Sequence, residues 1–291
     1  MDYYTNCNET NGTILVVRIK IKKLMTENLK DVLELGAAPR VAFVGSGGKT
    51  TSLFCVARDY DSPVIATSTS HLEYYQTKFA DRHFYWEDFQ VGHIHLPEPF
   101  PGIALISGPR NSRAVEGLAS DPLDKILSLA DRFGIPLLIE ADGSRRHPVK
   151  APADHEPPIP EFVDTVVVVV GLSALGKPCN SKWVHRPEVY AHLSGLQIGN
   201  EITLEAMERV LCHPLGGLKN IPGHARRIAL INQADTPDLV EKAVQLADGL
   251  STSYHSMVIA SLKQNTYVHQ MGFSSYPASF QANGILPARS L

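Results

Sequence analysis

The residues with the clearest capacity for chemistry form a glycine-rich turn that ends in a lysine and two threonines. The turn follows the apolar run 41–44 and consists of Gly45, Ser46, Gly47, Gly48, Lys49, Thr50 and Thr51. Glycines let backbone N–H groups converge on phosphate oxygens, and the N-terminus of a following helix adds partial positive charge. Lys49 can then reach the β- and γ-phosphates, and the Thr50 hydroxyl can bind Mg²⁺. The turn therefore predicts a site for the phosphates of ATP or GTP.

One position departs from the usual phosphate-loop pattern, G-x-x-x-x-G-K-[ST]. The chain has Phe43 where that pattern has its first glycine. What remains, G-x-G-G-K-T-T, is a shorter turn that resembles the phosphate loops of Mur-type ligases and some small-molecule kinases. Glycine-rich turns are common in proteins, but here the strand, turn, lysine and helix patterns occur in order, which favours phosphate binding.

A second group of reactive residues follows the apolar run 136–139. Glu140 and Asp142 come at its carboxyl end, which is where parallel sheets bind ligands. Carboxylates at that position can hold Mg²⁺ directly or through water. Arg145 and Lys150 follow, and they can neutralise charge that develops during phosphoryl transfer. The alternative is an ordinary Asp-Gly turn with a solvated basic edge.

Hydroxyl groups end the strand pattern at 63–66. Thr67 is the first of them, and it predicts a further oxygen ligand for the metal or a phosphate contact. The turn-forming tendency of Ser and Thr accounts for this residue equally well.

A candidate site for a nucleotide base follows the apolar run 227–231. Asn232 and Asp235 begin and end an N-Q-A-D segment that resembles the N-K-x-D of GTPases, in which the aspartate accepts from both guanine N–H donors. Gln233 stands where the lysine along the base is expected. An aspartate before Thr236 is also a good helix N-cap, so both interpretations stay open.

Two proline-rich loops each contain a histidine that we expect to face a second substrate. His155 lies in the loop 150–158, and His185 lies in the loop 176–188. Loops of this kind often carry substrate-binding groups, and histidine can act as an acid, a base or a metal ligand. Neither histidine has metal-ligand spacing, and a lone histidine is more often a structural residue.

The elements that must position these residues alternate between strands and helices. Seven apolar runs are typical of strands, at 41–44, 63–66, 103–107, 136–140, 165–170, 227–231 and 257–260. Helical patterns separate most of them, and the five valines 166–170 indicate a strand that is buried on both faces. The pattern predicts an α/β fold with a mostly parallel, P-loop-type sheet flanked by helices and a small helical insertion.

The same pattern predicts how the chain is divided. We expect an N-terminal extension at 1–23 and a nucleotide-binding α/β core at 24–170. A helical and loop insertion at 171–223 precedes a return to the core at 224–261. An irregular C-terminal tail, rich in Ser, Gln and Pro, follows at 262–291.

Composition excludes several classes of protein. The chain has 291 residues, of which 44% are hydrophobic and 20% are charged, and its formal net charge is −3. These values are typical of a globular protein and give no basic surface for nucleic acid or anionic membrane. Four scattered cysteines, the absence of a secretory signal pattern and the absence of a long apolar run favour a cytoplasmic protein.

Five segments, taken in order, resemble the YqeC-like accessory proteins of selenium-dependent molybdenum hydroxylases. They are 41–51, 140–145, 150–157, 184–188 and 232–235, and the similarity extends over about residues 25 to 260. The resemblance implies a role in maturation of a molybdenum hydroxylase, with that enzyme or its cofactor as a partner. Gln233 departs from the lysine expected at its position.

Three functions are compatible with these patterns. The first is a Mg²⁺-dependent NTPase or NTP-dependent transferase that acts in cofactor maturation with an unidentified small molecule. In it, Lys49, Thr50, Glu140 and Asp142 would serve the phosphates and the metal. The second is a Mur-like ligase or small-molecule kinase, and the third is a nucleotide-gated chaperone without catalysis.

Overall fold

The fold is an α/β fold built on one large sheet. The computed structural model describes residues 9–10, 13–14, 28–90, 101–111 and 113–271. The strands are β1 (Glu9–Thr10), β2 (Thr13–Ile14), β3 (Arg40–Gly45), β4 (Val64–Ser68), β5 (Leu72–Glu73), β6 (Arg82–Tyr85), β7 (Ile103–Ser107), β8 (Ala114–Val115), β9 (Leu137–Glu140), β10 (Val149–Lys150), β11 (Thr165–Gly171), β12 (Val184–His185), β13 (Arg226–Asn232), β14 (Ser256–Ser261) and β15 (Thr266–Met271).

Seven α-helices and two 3₁₀ helices accompany these strands in the described part of the chain. The α-helices are α1 (Leu29–Val32), α2 (Lys49–Arg58), α3 (Trp86–Gln90), α4 (Ser120–Phe133), α5 (Pro187–Ser194), α6 (Leu204–Cys212) and α7 (Pro237–Leu250). The 3₁₀ helices are Tyr74–Phe79 and Leu172–Ala174.

The large sheet has nine strands, in the order β15-β14-β13-β11-β3-β9-β4-β7-β6. Every neighbouring pair is parallel except β14 and β15, which are antiparallel. Because parallel strands share a direction, the carboxyl ends of β3, β9, β11, β13 and β14 meet at one edge. The prediction of a mostly parallel sheet flanked by helices is confirmed.

Side chains alternate between the two faces of the sheet and form two cores. On β3, Ala42 and Val44 belong to the core beneath α4, α5, α6 and α7, whereas Val41 and Phe43 belong to the core beneath α1 and α2. Both faces are covered, which is why β11 can be an unbroken run of buried valines. Helices on the two faces thus fix β3 and its loop at the centre of the molecule.

The structure corrects the expectation of an irregular tail from residue 262. Residues 266–271 form strand β15, which pairs with β14 from Ser256↔Met271 to Ser261↔Thr266. Residues 272–291 and most of the predicted extension 1–23 lie outside the described residues. In the predicted insertion, α5 and α6 pack beside α7 on one face of the sheet. Across the described ranges, no helix is long and apolar enough to cross a membrane.

Candidate phosphate and second-ligand site

The predicted phosphate loop connects β3 to α2 and packs closely on neighbouring backbone. At Gly47, φ is +85°, and a Cβ there would lie 2.4 Å from the backbone nitrogen of Gly171 and 2.8 Å from the carbonyl oxygen of Pro148. At Gly48, φ is +131°, and a Cβ would lie 2.4 Å from Nδ2 of Asn232. Side chains are therefore excluded at both positions by conformation and by space.

Hydrogen bonds hold the loop from two sides. The backbone N–H groups of Ser46 and Gly47 donate to the carbonyl oxygens of Val169 and His147, at 2.8 and 3.1 Å. Nδ2 of Asn232 donates to the Gly47 carbonyl at 2.7 Å. The loop is thus fixed in place by the ends of β11 and β13 and by the segment after β9.

The N-terminus of α2 opens directly from this loop. Gly48 is its N-cap residue, and no side chain caps the first turn. The first backbone N–H groups of a helix have no partner within the helix, and they point out along its axis with partial positive charge. Residues 47–51 line a cavity in front of this terminus, so the first turn can donate hydrogen bonds to an anion there.

Lys49 and Thr50 meet the acidic end of β9. Nζ of Lys49 donates to the Gly45 carbonyl at 2.8 Å and lies 3.8 Å from Oε1 of Glu140. The Thr50 hydroxyl donates to Oε2 of Glu140 at 2.6 Å. The structure therefore brings together the lysine, the hydroxyl and the carboxylate that the sequence predicted to act on one ligand.

Burial raises the pKa of the Glu140 carboxyl above its ordinary value. The positive charge of Lys49 and the hydrogen bond from Thr50 oppose this effect. Burial penalises the charged form of a carboxyl, so a cation that approached Glu140 would be attracted to a weakly solvated group. This is an environment in which a carboxylate gains from metal binding.

Asp142 forms ion pairs with both Lys49 and Lys150. Its Oδ2 accepts from the Gly45 backbone N–H at 3.0 Å and from Nζ of Lys150 at 2.9 Å. Its Oδ1 has no hydrogen bond of acceptable geometry among the described residues, although Nζ of Lys49 lies 3.2 Å away. Asp142 is buried, and these contacts position Lys49 beneath the loop.

Further ion pairs connect Lys150 to the loop that contains His185. Nζ of Lys150 donates to Oε2 of Glu156 at 2.9 Å, and Arg186 donates to both oxygens of Glu156 at 2.8 and 2.9 Å. Burial by itself would raise the pKa of Glu156, but hydrogen bonds from Arg186 and Lys150 lower it to about 2. Both predicted proline-rich loops are thereby tied to the end of β9.

A polar cavity of about 570 Å³ lies between the phosphate loop and these loops. Besides the phosphate loop, it is lined by Glu140, Arg145, Arg146, Glu156, His185 and Arg186. Arg145 is exposed and has a positive φ of 48°, and Arg146 pairs with Glu73 across the cavity. The cavity extends well beyond the phosphate loop, so it has room for a second ligand.

His185 lines this cavity as a neutral side chain. Burial lowers its pKa to about 4, and the nearby charges of Arg186 and Lys150 act in the same direction. Its ring stacks on the ring of His147 with centroids 5.8 Å apart. At neutral pH it can therefore accept a proton or hydrogen bond through an unprotonated nitrogen, but it is not a reservoir of positive charge.

Two predicted site residues do not reach the cavity. The Thr67 hydroxyl is buried and donates to the carbonyl of Ile106 at 2.8 Å, so the expected metal ligand is instead a link between β4 and β7. His155 is exposed in a turn and is not among the residues that line the cavity. The expectation that His155 faces the same ligand as His185 is not supported by this placement.

Asp235 does not cap α7. The side chain of Thr236 accepts from the Leu239 N–H and is the N-cap, so the capping interpretation of Asp235 is wrong. Instead, Oδ1 of Asp235 accepts from the Ser261 hydroxyl at 2.6 Å. The carboxylate is therefore oriented by the end of β14.

Sequence reasoning did not identify Gln76. Its Nε2 donates to the Thr50 hydroxyl at 2.8 Å, and its Oε1 accepts from the Glu73 backbone N–H at 2.8 Å. Gln76 lies in a 3₁₀ helix, and nothing in its local sequence indicates that this helix packs against α2. Gln76 orients the hydroxyl that we expect to bind metal.

The residues present fit a nucleotide and Mg²⁺. An uncapped helix N-terminus and a buried lysine match the chemistry of a polyphosphate. The backbone N–H groups of Gly45, Ser46 and Gly47 donate to the protein itself, so the donors that face the cavity are those of the first helical turn. Thr50 and Glu140 supply hard oxygen ligands, which Mg²⁺ prefers, and it usually takes its remaining ligands from phosphates and water. No group of three or more His, Cys, Asp or Glu residues in the described ranges could hold a metal by itself.

Comparison with known proteins identifies the family. The chain is 33% identical over 208 residues to the "Uncharacterized protein YqeC" of Escherichia coli (strain K12), which covers 69% of this chain and 80% of that protein. No solved structure matches. A family model described as "YqeC protein" matches residues 41–188, which include the phosphate loop, the end of β9 and the loop of His185. The chain belongs to the YqeC protein family.

Proposed function

We propose that this protein binds a nucleoside triphosphate, ATP or GTP, together with Mg²⁺ and uses it in phosphoryl transfer or hydrolysis. The observation that carries the proposal is the convergence of Lys49 and Thr50 with Glu140 at the uncapped N-terminus of α2. This arrangement supplies hydrogen-bond donors and positive charge for the β- and γ-phosphates. The metal, when bound, neutralises negative charge on the phosphate oxygens.

The roles of the chain's own residues follow from their positions. Lys49 binds the terminal phosphates, and Thr50 and Glu140 hold Mg²⁺ directly or through water. Asp142 positions Lys49 from below, since it lies 3.2 Å from the ammonium group. Arg145 is exposed at the cavity wall, where its charge can stabilise oxygens of the transferred group.

The cavity beyond the phosphate loop supports a second ligand beside His185. We propose that this ligand is an acceptor for the phosphoryl group or a compound activated by it. The family resemblance supports a role in maturation of a selenium-dependent molybdenum hydroxylase, so the ligand would be a precursor of that enzyme's cofactor. A ligase or kinase reaction is a variant of this proposal, because both need the same two adjoining sites.

Calorimetric titration with ATP and with GTP, each with and without Mg²⁺, tests the proposal. We expect binding by the wild type and a loss of affinity of at least about tenfold in Lys49→Ala, because a charge-assisted contact to phosphate is removed. The matched control is Lys242→Ala, since Lys242 is exposed on α7. Unchanged affinity in Lys49→Ala, or no binding of either nucleotide by the wild type, would overturn the proposal.

Turnover separates an enzyme from a nucleotide-gated chaperone. Phosphate release should be measured with and without small-molecule extracts of cells that make molybdenum hydroxylases. An enzyme releases phosphate or consumes nucleotide when its acceptor is present. A protein that binds nucleotide but shows no turnover under either condition would support the chaperone function.

A further inference from the structure

We propose that the nucleotide is a guanine nucleotide, whose base binds at the carboxyl ends of β13 and β14 and is recognised by Asp235. This inference rests on the proposed function, because it assigns the base of the nucleotide whose phosphates bind at Lys49. Hydrogen bonds that connect the ends of β3, β13 and β14 support it, together with the orientation of Asp235.

The ends of β3, β11, β13 and β14 lie along one edge of the sheet. The order β3, β11, β13, β14 places β13 two strands and β14 three strands from the phosphate loop, and all four strands are parallel. Adjacent strands are about 4.8 Å apart, so β13 and β14 end roughly 10 and 14 Å from β3. The sugar and base of one nucleotide can extend over that distance along the same edge.

A hydrogen-bonded asparagine links the phosphate loop to this edge. Asn232 is buried at the end of β13, and both ends of its amide are used. Its Nδ2 donates to the Gly47 carbonyl at 2.7 Å, and its Oδ1 accepts from the Leu262 backbone N–H at 3.2 Å. Asn232 is thus a positioning residue, since it fixes the loop after β14 relative to the phosphate loop.

Hydrogen bonds orient both the side chain and the backbone of Asp235. Its Oδ1 accepts from the Ser261 hydroxyl at 2.6 Å, and its backbone carbonyl accepts from Nε2 of Gln264 at 3.0 Å. The Ala234 N–H donates to the Ala260 carbonyl at 3.0 Å. Thr236, not Asp235, caps α7. In the part of the chain that the structure describes, Oδ2 of Asp235 has no hydrogen-bond partner, so it can accept from a ligand.

Gln233 lies between the phosphate loop and Asp235, where the base would bind. It lines the cavity that contains the phosphate loop, and its Oε1 accepts from the Ser173 backbone N–H at 3.2 Å. This contact turns the Gln233 side chain toward the end of β11 and fixes it beside the loop. The cavity therefore reaches the segment that carries Asp235, as the connection between phosphates and base requires.

The chemistry of a carboxylate selects among the bases. An ionised carboxylate only accepts hydrogen bonds. Guanine presents two donors side by side, N1–H and the 2-amino group, whereas adenine presents the acceptor N1 beside its amino group. Xanthine has N1–H beside an oxygen at C2, which suits an amide better than a carboxylate. A site built to pair with a polar group discriminates strongly against a base that leaves it unpaired.

The test is calorimetric titration of the full chain with GTP, ATP and XTP in the presence of Mg²⁺. We expect the wild type to bind GTP at least about tenfold more tightly than ATP or XTP. Asp235→Asn should lose most of its affinity for GTP and prefer XTP, because the amide can donate to the oxygen at C2. The matched control is Thr236→Ala, which removes the cap next to Asp235 and should keep the preference for GTP.

Several outcomes decide between the proposals. Equal wild-type affinity for ATP and GTP would overturn guanine recognition and leave the proposed nucleotide site standing. An unchanged GTP preference in a folded Asp235→Asn variant would overturn the role of Asp235. If that variant does not fold, Ser261→Ala provides the second test, and it should reduce the GTP preference because Asp235 loses its orienting donor. Failure to bind any of the three nucleotides would overturn both proposals.

Discussion

The ammonium group of Lys49 lies 3.2 Å from Oδ1 of Asp142, and both side chains are about 2% exposed. A triphosphate that binds Lys49 must therefore compete with a carboxylate that is already in place. Asp142 also binds Lys150, and Lys150 binds Glu156, which binds Arg186. Buried and partly buried ion pairs thus connect the pairing of Lys49 to the loop of His185.

The linked ion pairs contain as many acidic as basic side chains. Six side chains alternate in sign along them, in the order Glu140, Lys49, Asp142, Lys150, Glu156 and Arg186. Buried charges are stable only when they are paired and hydrogen-bonded. If a polyphosphate binds as proposed, its negative charge would disturb this balance, and Mg²⁺ at the Glu140 end would restore it.

The close packing of the phosphate loop predicts a large effect of one methyl group. Gly47→Ala should lower the free energy of unfolding by about 3 kcal/mol, because strain at positive φ adds to a clash with rigid backbone. The matched control is Gly176→Ala. Gly176 has a similar φ of +70°, but nothing lies within 4 Å of its added Cβ, so we expect a loss of only about 1 kcal/mol.

Urea unfolding of the two variants and the wild type measures this difference. Equal losses in Gly47→Ala and Gly176→Ala would contradict the contact of the loop with Gly171 and Pro148. The comparison isolates the clash, because both substitutions place alanine at a positive φ.

The Glu156 ion pairs predict a pH-dependent contribution to stability. The folded-state pKa of Glu156 is about 2, below its ordinary value of 4.5. The charged form is therefore stabilised by folding, and this contribution is complete above pH 4.5 and disappears as the pH falls toward 2. Glu156→Gln should lose about 2 kcal/mol at pH 7, and its difference from wild type should shrink steadily as the pH falls from 4.5 toward 2.

The measurement is urea unfolding of wild type and Glu156→Gln at several pH values. Glu161→Gln serves as the control, because the Glu161 side chain is 86% exposed and lies no closer than 3.9 Å to its partner His224. A constant difference between wild type and Glu156→Gln across this pH range would contradict the pairing with Lys150 and Arg186.

The sequence predicted the central part of the site because its signals are local. An apolar strand, glycines and Lys-Thr-Thr lie within about a dozen residues, and Glu140 directly ends its own strand. The pairing of Asp235 with Ser261 or of Gln76 with Thr50 depends on which elements become neighbours, and no pattern within either segment encodes it. The residue type of Thr67 at a strand end predicts a metal ligand, but its side chain faces Ile106 instead of the cavity.

The outer strands of the sheet were harder to predict for a related reason. β6 and β15 are edge strands, and β15 lacks the continuous apolar run that marks β11. A strand of this kind is stabilised by its neighbour more than by its own propensity. The polar composition of 262–271 therefore indicated an irregular tail, although the pairing with β14 makes residues 266–271 a strand.

The proximity of Thr50 and Glu140 predicts how Mg²⁺ affects nucleotide binding. Glu140→Gln keeps the shape of the side chain but removes its charge. We expect nucleotide affinity without Mg²⁺ to be retained and the gain on adding Mg²⁺ to fall by about tenfold. Glu73→Gln is the control, since Glu73 lines the same cavity but pairs with Arg146. Titrations with and without Mg²⁺ measure this gain in nucleotide affinity. Equal gains in Glu140→Gln and Glu73→Gln would exclude Glu140 from the metal site.

The lowered pKa of His185 predicts the midpoint of its NMR titration. Burial and the charges of Arg186, Lys150 and Arg145 lower its pKa to about 4, and Glu156 opposes them only in part. In an NMR titration, the His185 ring signal, assigned by its loss in His185→Gln, should have a midpoint near pH 4. A midpoint near the ordinary value of 6.5 would contradict the burial of this ring among cations.

The lowered pKa of His185 also determines whether stability rises or falls as the pH decreases. The unfolded chain protonates His185 near pH 6.5, but the folded protein does so only near pH 4, so stability falls as the pH decreases between these values. His185→Gln lacks this group, and its free energy of unfolding should decline less steeply over that range. Urea unfolding at pH 7, 5.5 and 4.5 distinguishes the two slopes. Parallel slopes would mean that the folded protein protonates His185 as readily as the unfolded chain does, and the cavity would then present a charged imidazolium to its second ligand.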